Sequence, residues 1–393
     1  MSHDILLTFN AGSSTVKIGV FAIQGATAVR LGKGTIDFRK KPLGFRVSQG
    51  SETVDVELTA RSDENLSAVL SETFAWLAKR YDMTRVVAIG HRVVHGGDLF
   101  SGPTVLDDAA ITAIEELTPL APLHQPQSLR LIYAVRHVRE DLLQTASFDT
   151  AFHRTNPEVV TQFALPRALY DAGVKRYGFH GLSYKHIASA LQAQSPELAE
   201  GRVIAAHLGS GASLCAMAGG VSRDSSMGFS TLDGIPMATR CGALDPGVLL
   251  YLLAAGKSPT EIEHMLYHQS GLLGVSGISA DSRTLLADQR PEAREAIDLF
   301  TFRAAGEIAR LTATLGGLDT IVFTAGVGEN QPEIREGICK RLAWLGVELA
   351  PDANTANASR IDSPTSRVTV CIIPADEEQV IADETLSILN RSD

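Results

Sequence analysis

The chain has 393 residues, enough for two or three domains with ample core, and its 45% hydrophobic and 20% charged residues fit a soluble globular protein. A formal net charge of −10 excludes nucleic acid as a general partner, since nothing is basic enough to track a phosphate backbone. A nucleotide needs only a local positive pocket and stays open. The start, "MSHDILLTF", has no basic segment ahead of its apolar run and does not read as a signal peptide. The longest apolar stretch, "GVLLYLLAAG", is too short to span a bilayer. Four scattered cysteines without a C-x-x-C pair point to a reduced, cytoplasmic location.

In chain order, Ile5 to Phe9 reads as a strand, Asn10 to Thr15 as a turn and Val16 to Phe21 as a returning strand. The turn has a glycine, three hydroxyls and Lys17 close behind. It is not the G-x-x-x-x-G-K-[ST] phosphate loop, whose second glycine and adjoining lysine are missing. Alternation continues near "KGTIDFR" and "ETVDVEL". Leu66, Val69, Leu70, Phe74 and Leu77 then recur at helical spacing, with Ser62 or Asp63 as cap. "RVVAIG" reads as a buried strand emptying into "HRVVHGG". Helices are expected over Asp107–Leu117 and Pro126–Val138, and "TASFDTAFH" is a strand ending in polar residues.

"RVIAAHLGSGASLCAMA" repeats the opening layout: an apolar strand, a Gly/Ser turn, then an alternating strand. "LDTIVFTAGVGEN" is a third apolar strand entering a glycine-rich turn, with a helix over "QPEIREGICKRLAWLG" behind it. One such turn alone is a plain connection. Three after buried strands predict an internal duplication, two α/β domains facing a shared cleft; a single large α/β domain is the alternative.

The turns resemble the phosphate loops of the sugar kinase, Hsp70 and actin superfamily. Within it, "NAGSSTVK", "GHRVVHGG", "APLHQP", "FDTAFH", "RYGFHGLSYKHI", "HLGSGAS", "GALDPG", "FTAGVGEN" and "EEQVIA" occur in an order similar to that of the acetate kinases and their propionate and butyrate kinase relatives. The likeness runs from Asn10 to about Asp383. It implies two similar actin-like, ribonuclease H-like ATPase domains around a central cleft, residues 1–149 completed by a C-terminal helix over 378–393, and 150–377. It also implies reversible ATP-dependent phosphorylation of acetate, with propionate or another short acid as alternative, and a homodimer.

In that reaction the nucleophile is already an anion, with a carboxyl pKa of about 4 to 5, so no strong base is needed. The difficulty is bringing an anion to a polyanion, and cations and hydrogen-bond donors resolve it. Arg92 can grip a carboxylate or phosphoryl group with its fork, and Arg240 is its expected partner. His180 matches the family's transition-state histidine, with His124 as a second donor; His91 and His95 are expected to brace the loop. Asp149 matches the residue assigned as acid/base. A carboxylate substrate has no proton to lose, so orienting an arginine or a metal-bound water suits Asp149 better. The resemblance assigns Mg²⁺, with Mn²⁺ as substitute, to Asn10 and Glu377. It assigns ATP or ADP to Ser13, Ser14, Thr15 and Lys17, to His207, Leu208, Gly209, Ser210 and Gly211, to Asp281, Ser282 and Arg283, and to Gly326, Gly328, Glu329 and Asn330. The resemblance assigns the acyl pocket to Val94, Leu123, Phe179 and Thr231; relatives usually place proline at Thr231.

Two rivals are weighed. A non-catalytic ATP-binding sensor of the superfamily has no reason to keep two arginines and two histidines at this spacing. A sugar kinase needs a base for a hydroxyl and a polar pocket, against the apolar Val94, Leu123 and Phe179.

Overall fold

The computed structural model describes residues 3–12, 15–60 and 66–392. The chain divides into one unit of residues 1–152 and 376–393 and a second of residues 153–375. The sequence reading had placed these boundaries at 149 and 377.

The first unit is built on an eight-stranded sheet in the order β5-β4-β3-β2-β1-β6-β8-β7. Its strands are β1 (Ile5–Ala11), β2 (Thr15–Gln24), β3 (Thr27–Asp37), β4 (Leu43–Gln49), β5 (Glu52–Leu58), β6 (Val86–Val93), β7 (Thr104–Val105) and β8 (Leu143–Phe148). Every residue of β1 is buried because the strand is central and both sheet faces are covered. It pairs antiparallel with β2 and parallel with β6, which pairs parallel with β8. The sequence reading passed over β4, although Leu43, Phe45 and Val47 alternate inward in the period-2 way.

One face carries α1 (Leu66–Leu77) and α3 (Gln125–Val138). Val69, Leu70, Phe74, Leu77, Leu131 and Val135 bury against Phe9, Ile18, Ile36 and Phe45. Each side chain contributes about 1.5–3 kcal/mol by leaving water. The other face receives the C-terminal helix Glu377–Ser392, whose Ala382 and Leu386 pack on Leu6, Phe21 and Ala88. Gly90 of β6 permits this approach: a Cβ there would lie 2.3 Å from Thr385 Oγ1 and 2.6 Å from Ile381 Cγ2. The expected helix over 107–117 is α2 (Asp108–Glu116), with the Asp107 carboxylate accepting from the Ala110 N–H. The caps expected at Ser62 or Asp63 lie outside the described residues.

The second unit is built on a five-stranded sheet, β11-β10-β9-β12-β13, made of β9 (Arg202–Leu208), β10 (Ala212–Ala218), β11 (Val221–Ser225), β12 (Thr320–Thr324) and β13 (Thr369–Ile372). β9 and β10 pair antiparallel, as do β10 and β11. β9 and β12 pair parallel, as do β12 and β13. The first unit repeats this plan strand for strand in β3-β2-β1-β6-β8. Two sheets thus share one topology, as the paired strand–turn–strand patterns predicted.

The helices that matter for the site are α4 (Gly181–Gln194), α5 (Pro246–Ala254), α6 (Pro291–Leu315), α7 (Ala325–Asn330), α8 (Pro332–Lys340) and α9 (Pro351–Thr355). The stretch read as a glycine-rich turn after β12 is the short helix α7, entered through Ala325 at φ 64°.

Candidate functional site

In the first unit the polar residues gather where parallel strands end, the usual place for ligands in α/β sheets. β1 brings Asn10, β6 brings Arg92, and β8 runs straight into Asp149. The first turn of the C-terminal helix adds Glu377 and Glu378, whose charge suits a helix N-terminus. Arg92 Nε donates to Asp149 Oδ1 at 3.0 Å and Nη2 to Oδ2 at 2.6 Å, a two-pronged grip. Arg92 Nη1 reaches Asn10 Oδ1 at 3.3 Å and Ala11 O at 3.2 Å. The Asn10 amide nitrogen donates to Glu377 Oε2 at 2.7 Å and Glu378 Oε1 at 2.8 Å. Burial opposes the charge on Arg92. The field of Asp149, Glu377 and Glu378 outweighs it and holds the guanidinium above its ordinary pKa.

Val94, just after β6, is buried, and Leu123 and His124 are half-buried ahead of α3. His91 and His95 brace the loop. His91 Nε2 pairs with Gln144 Oε1, and His95 Nδ1 accepts from the Gly97 N–H. Lys17 Nζ sits 3.9 Å from Glu378, and the Thr15 carbonyl closes the turn by accepting from the Gly12 N–H at 2.8 Å. Ser13 and Ser14 lie outside the described residues.

In the second unit His180 stands at the entrance of α4 with φ 56° and ψ 26°. Its Nδ1 is 2.7 Å from Ser213 Oγ, and its ring stacks on His207 with centroids 4.3 Å apart. His207 Nδ1 is held in turn by Ser183 Oγ at 2.8 Å. Arg240 Nη1 donates to the carbonyl of buried Thr231 at 3.1 Å. Gly211 shows what converges here: a Cβ on it would sit 3.4 Å from His180 Nε2 and 3.7 Å from Arg240 Nη1. His180, His207, Arg240 and the β9–β10 turn therefore share one place. Within that turn Leu208 is fully buried, the Gly209 N–H donates to Gly211 O, and the Ser210 carbonyl accepts from the Ala238 N–H.

Of the remaining nucleotide candidates, α7 adjoins this turn: Thr324 pairs with His207, and a Cβ on Gly209 would lie 3.7 Å from Ala325 Cβ. Asp281 caps the short helix Ser282–Ala287, of which Ser282 is buried, and holds the exposed Arg283 fork. Asn330 Nδ2 closes α7 onto the Gly326 carbonyl, while Glu329 Oε1 accepts from the Ala375 N–H. Sequence reasoning missed Arg335. Fully buried in α8, it donates to Gly328 O, Asn354 Oδ1, Asn354 O and Asn357 Oδ1 at 2.7–2.9 Å, tying α7 to α9. Its cue was a charged residue on the apolar side of a helical pattern with Ile334 and Ile338.

Phe179 is buried, and its carbonyl is 3.0 Å from Nε2 of His153. Burial lowers the pKa of His153 to about 4, against the pull of that carbonyl, and lowers His91 and His95 to about 4 as well. The unfolded chain protonates these rings near pH 6.5, while the folded chain does not until about 4. Stability should therefore be full above pH 6.5 and fall as the pH drops toward 4, by about 1.4 kcal/mol per pH unit for each histidine. Urea midpoints should drop clearly from pH 7 to pH 5, and His153→Gln should flatten the dependence. Equal wild-type midpoints at the two values would refute it.

Two units on one strand plan, with charged and imidazole groups at their strand ends, define the actin-like ATPase fold. The chain matches the Acetokinase family over residues 5–383. It is 49% identical over 392 residues to an acetate kinase of Rhodopseudomonas palustris (strain TIE-1), covering 96% of this chain and 97% of the relative. It is 44% identical over 396 residues to one of Methylocella silvestris, covering 98% of each. Among solved structures, a propionate kinase from Francisella tularensis superposes with a TM-score of 0.88 at 35% identity, covering 98% of this chain and 99% of that one. Porphyromonas gingivalis acetate kinase gives 0.85 at 32%, covering 98% and 100%. The chain belongs to the acetokinase family.

Proposed function

We infer that this chain catalyses the ATP-dependent phosphorylation of acetate to acetyl phosphate. An acetate oxygen attacks the γ-phosphorus, the bond from that phosphorus to the ADP oxygen breaks, and the reverse reaction follows the same path. The observation that carries the reading at the site is the buried guanidinium of Arg92, locked by Asp149 in an α/β unit of this family. A fixed cationic fork suits a reaction whose barrier is anion–anion repulsion. Asp149 orients Arg92 and abstracts no proton. His180 and Arg240 are assigned to the charge of the transferring phosphoryl group, and the β9–β10 turn and α7 to the nucleotide.

The residues present fit Mg²⁺. Hard oxygens meet in one hydrogen-bonded cluster: Asn10 Oδ1, which accepts from Arg92 Nη1, and the carboxylates of buried Glu377 and half-buried Glu378, which accept from Asn10 Nδ2. Mg²⁺ keeps several waters and phosphate oxygens as ligands, so one or two protein oxygens suffice. Asn10 and Glu377 would hold it; when bound, it supplies neutralisation of the phosphate charge.

The deciding experiment is a hydroxamate assay for acyl phosphate with ATP, Mg²⁺ and acetate, propionate or butyrate in parallel. Acetate should give the highest kcat/KM. One methylene is worth about 1–3 kcal/mol in an acyl pocket, so a higher kcat/KM for propionate, the substrate named for the Francisella relative, would make this chain a propionate kinase instead. No acyl phosphate from any of the three would overturn the reading.

We also assign a homodimer and a reducing cytoplasm. α5 has no buried residue although it reads "PGVLLYLLA", and Leu250 and Tyr251 are 67% and 71% exposed. An apolar helix left uncovered in a single copy marks an interface. Leu250→Glu with Tyr251→Glu should convert a dimer to a monomer in size-exclusion chromatography with light scattering; a monomeric wild type would refute this. The four cysteines are free, and burial raises Cys215 and Cys339 to about 12 and Cys371 to about 11, which keeps them inert thiols. Among the described residues no helix is long and apolar enough to cross a membrane.

A further inference from the structure

His180 adopts a left-handed backbone conformation that costs a non-glycine residue about 1–3 kcal/mol, so its surroundings must hold it. Behind it lies a buried chain of hydroxyls. Ser213 Oγ is 2.7 Å from His180 Nδ1 and 2.5 Å from the phenolic oxygen of Tyr184, and both residues are fully buried. Ser213 lies on β10, and Tyr184 lies one turn into α4 from His180.

We propose that Tyr184 and Ser213 are positioning residues that fix the tautomer of His180, so that Nε2 carries the proton and serves as the donor toward the transferring phosphoryl group. This rests on the kinase reading above. A phenol is the stronger donor and the weaker acceptor of the two hydroxyls, because its lone pair is delocalised into the ring. Tyr184 therefore donates to Ser213 Oγ. The one hydrogen of Ser213 is then directed at His180 Nδ1, which must accept it and so is unprotonated. The proton of the neutral ring is left on Nε2, the nitrogen that faces Gly211, which Arg240 Nη1 also approaches. The opposite tautomer would need Ser213 either to donate to the phenolic oxygen, its poorer acceptor, or to accept from both neighbours and turn its own buried hydrogen away from them. The stack on His207, itself pinned by Ser183, fixes the ring plane. An outer hydrogen bond that sets which imidazole nitrogen is used is a recurrent device, and its loss costs about 10- to 100-fold in function.

The test uses the full chain labelled with ¹⁵N-histidine, with long-range ¹H–¹⁵N correlations reading the His180 tautomer and His180→Asn giving the assignment. The neutral wild type should show Nε2–H. Ser213→Ala should give a mixture of tautomers, with kcat about 10- to 100-fold lower and KM for ATP within about twofold. Tyr184→Phe should shift the tautomer in the same direction with a smaller loss of kcat. Wild-type His180 protonated on Nδ1, or a tautomer unmoved in both variants, would overturn the proposal. A wild type that shows Nε2–H and yet makes no acyl phosphate would overturn the kinase reading while supporting the hydrogen-bond relay.

Discussion

Replacing Arg92 by alanine should lower kcat/KM for acetyl phosphate formation by about 10³-fold or more, the scale set by an arginine that stabilises phosphoryl-transfer charge. The guanidinium is gripped on Nε and Nη2 by Asp149 and on Nη1 by Asn10 and the Ala11 carbonyl. Its removal also takes the ion-pair partner from Asp149, whose side chain is 1% exposed. Breaking a buried pair by deleting one partner costs about 3–5 kcal/mol, so activity alone would be ambiguous. Arg92→Lys separates the effects. It retains a cation for Asp149 but not the two-pronged geometry, so melting should recover much more than turnover. Near-wild-type activity in Arg92→Lys would show that the fork has no part in the reaction, and near-wild-type activity in Arg92→Ala would remove Arg92 from the site.

Arg335→Met is the second large effect, and it falls first on stability. Burial pulls this guanidinium below its ordinary pKa, and its four hydrogen-bond acceptors are all neutral oxygens. Methionine keeps much of the volume but leaves those oxygens without their donor, a loss of about 3 kcal/mol or more and about 5–10 °C in Tm. Gly328 O, one of the four, belongs to α7, which is assigned to the nucleotide. KM for ATP should therefore rise by about tenfold, a 1.4 kcal/mol change in binding, while kcat changes less. Unchanged melting and unchanged KM would show that Arg335 does not brace α7.

The two hairpins were legible because alternation and Gly/Ser turns are local signals, each contained in a few consecutive residues. The same rule could have found β4, where Leu43, Phe45 and Val47 alternate with Gly44, Arg46 and Ser48. The "AGVGEN" stretch misled because glycines usually mark turns. Entered through Ala325 at a positive φ, it closes as a helix instead, its Gly326 and Gly328 carbonyls accepting from the Asn330 and Arg335 side chains. Arg92, Asp149, His180 and Arg240 were nameable through family motifs, but no motif revealed that Asp149 holds Arg92 across 57 positions, or that Asn10 meets Glu377 across 367. Ser213 and Tyr184 looked like ordinary members of a strand and a helix.

By itself the sequence determined the family, the duplicated hairpin and the kinds of side chain available for phosphoryl transfer. These follow from residue identity and from periodicities that neighbouring residues set among themselves. Only the tertiary structure decided which charges neutralise one another, which hydroxyls stand behind His180, and why Gly90 bears no side chain. Those outcomes depend on residues far apart in the chain being brought within hydrogen-bond distance and shielded from water, where an unpaired charge or donor is costly.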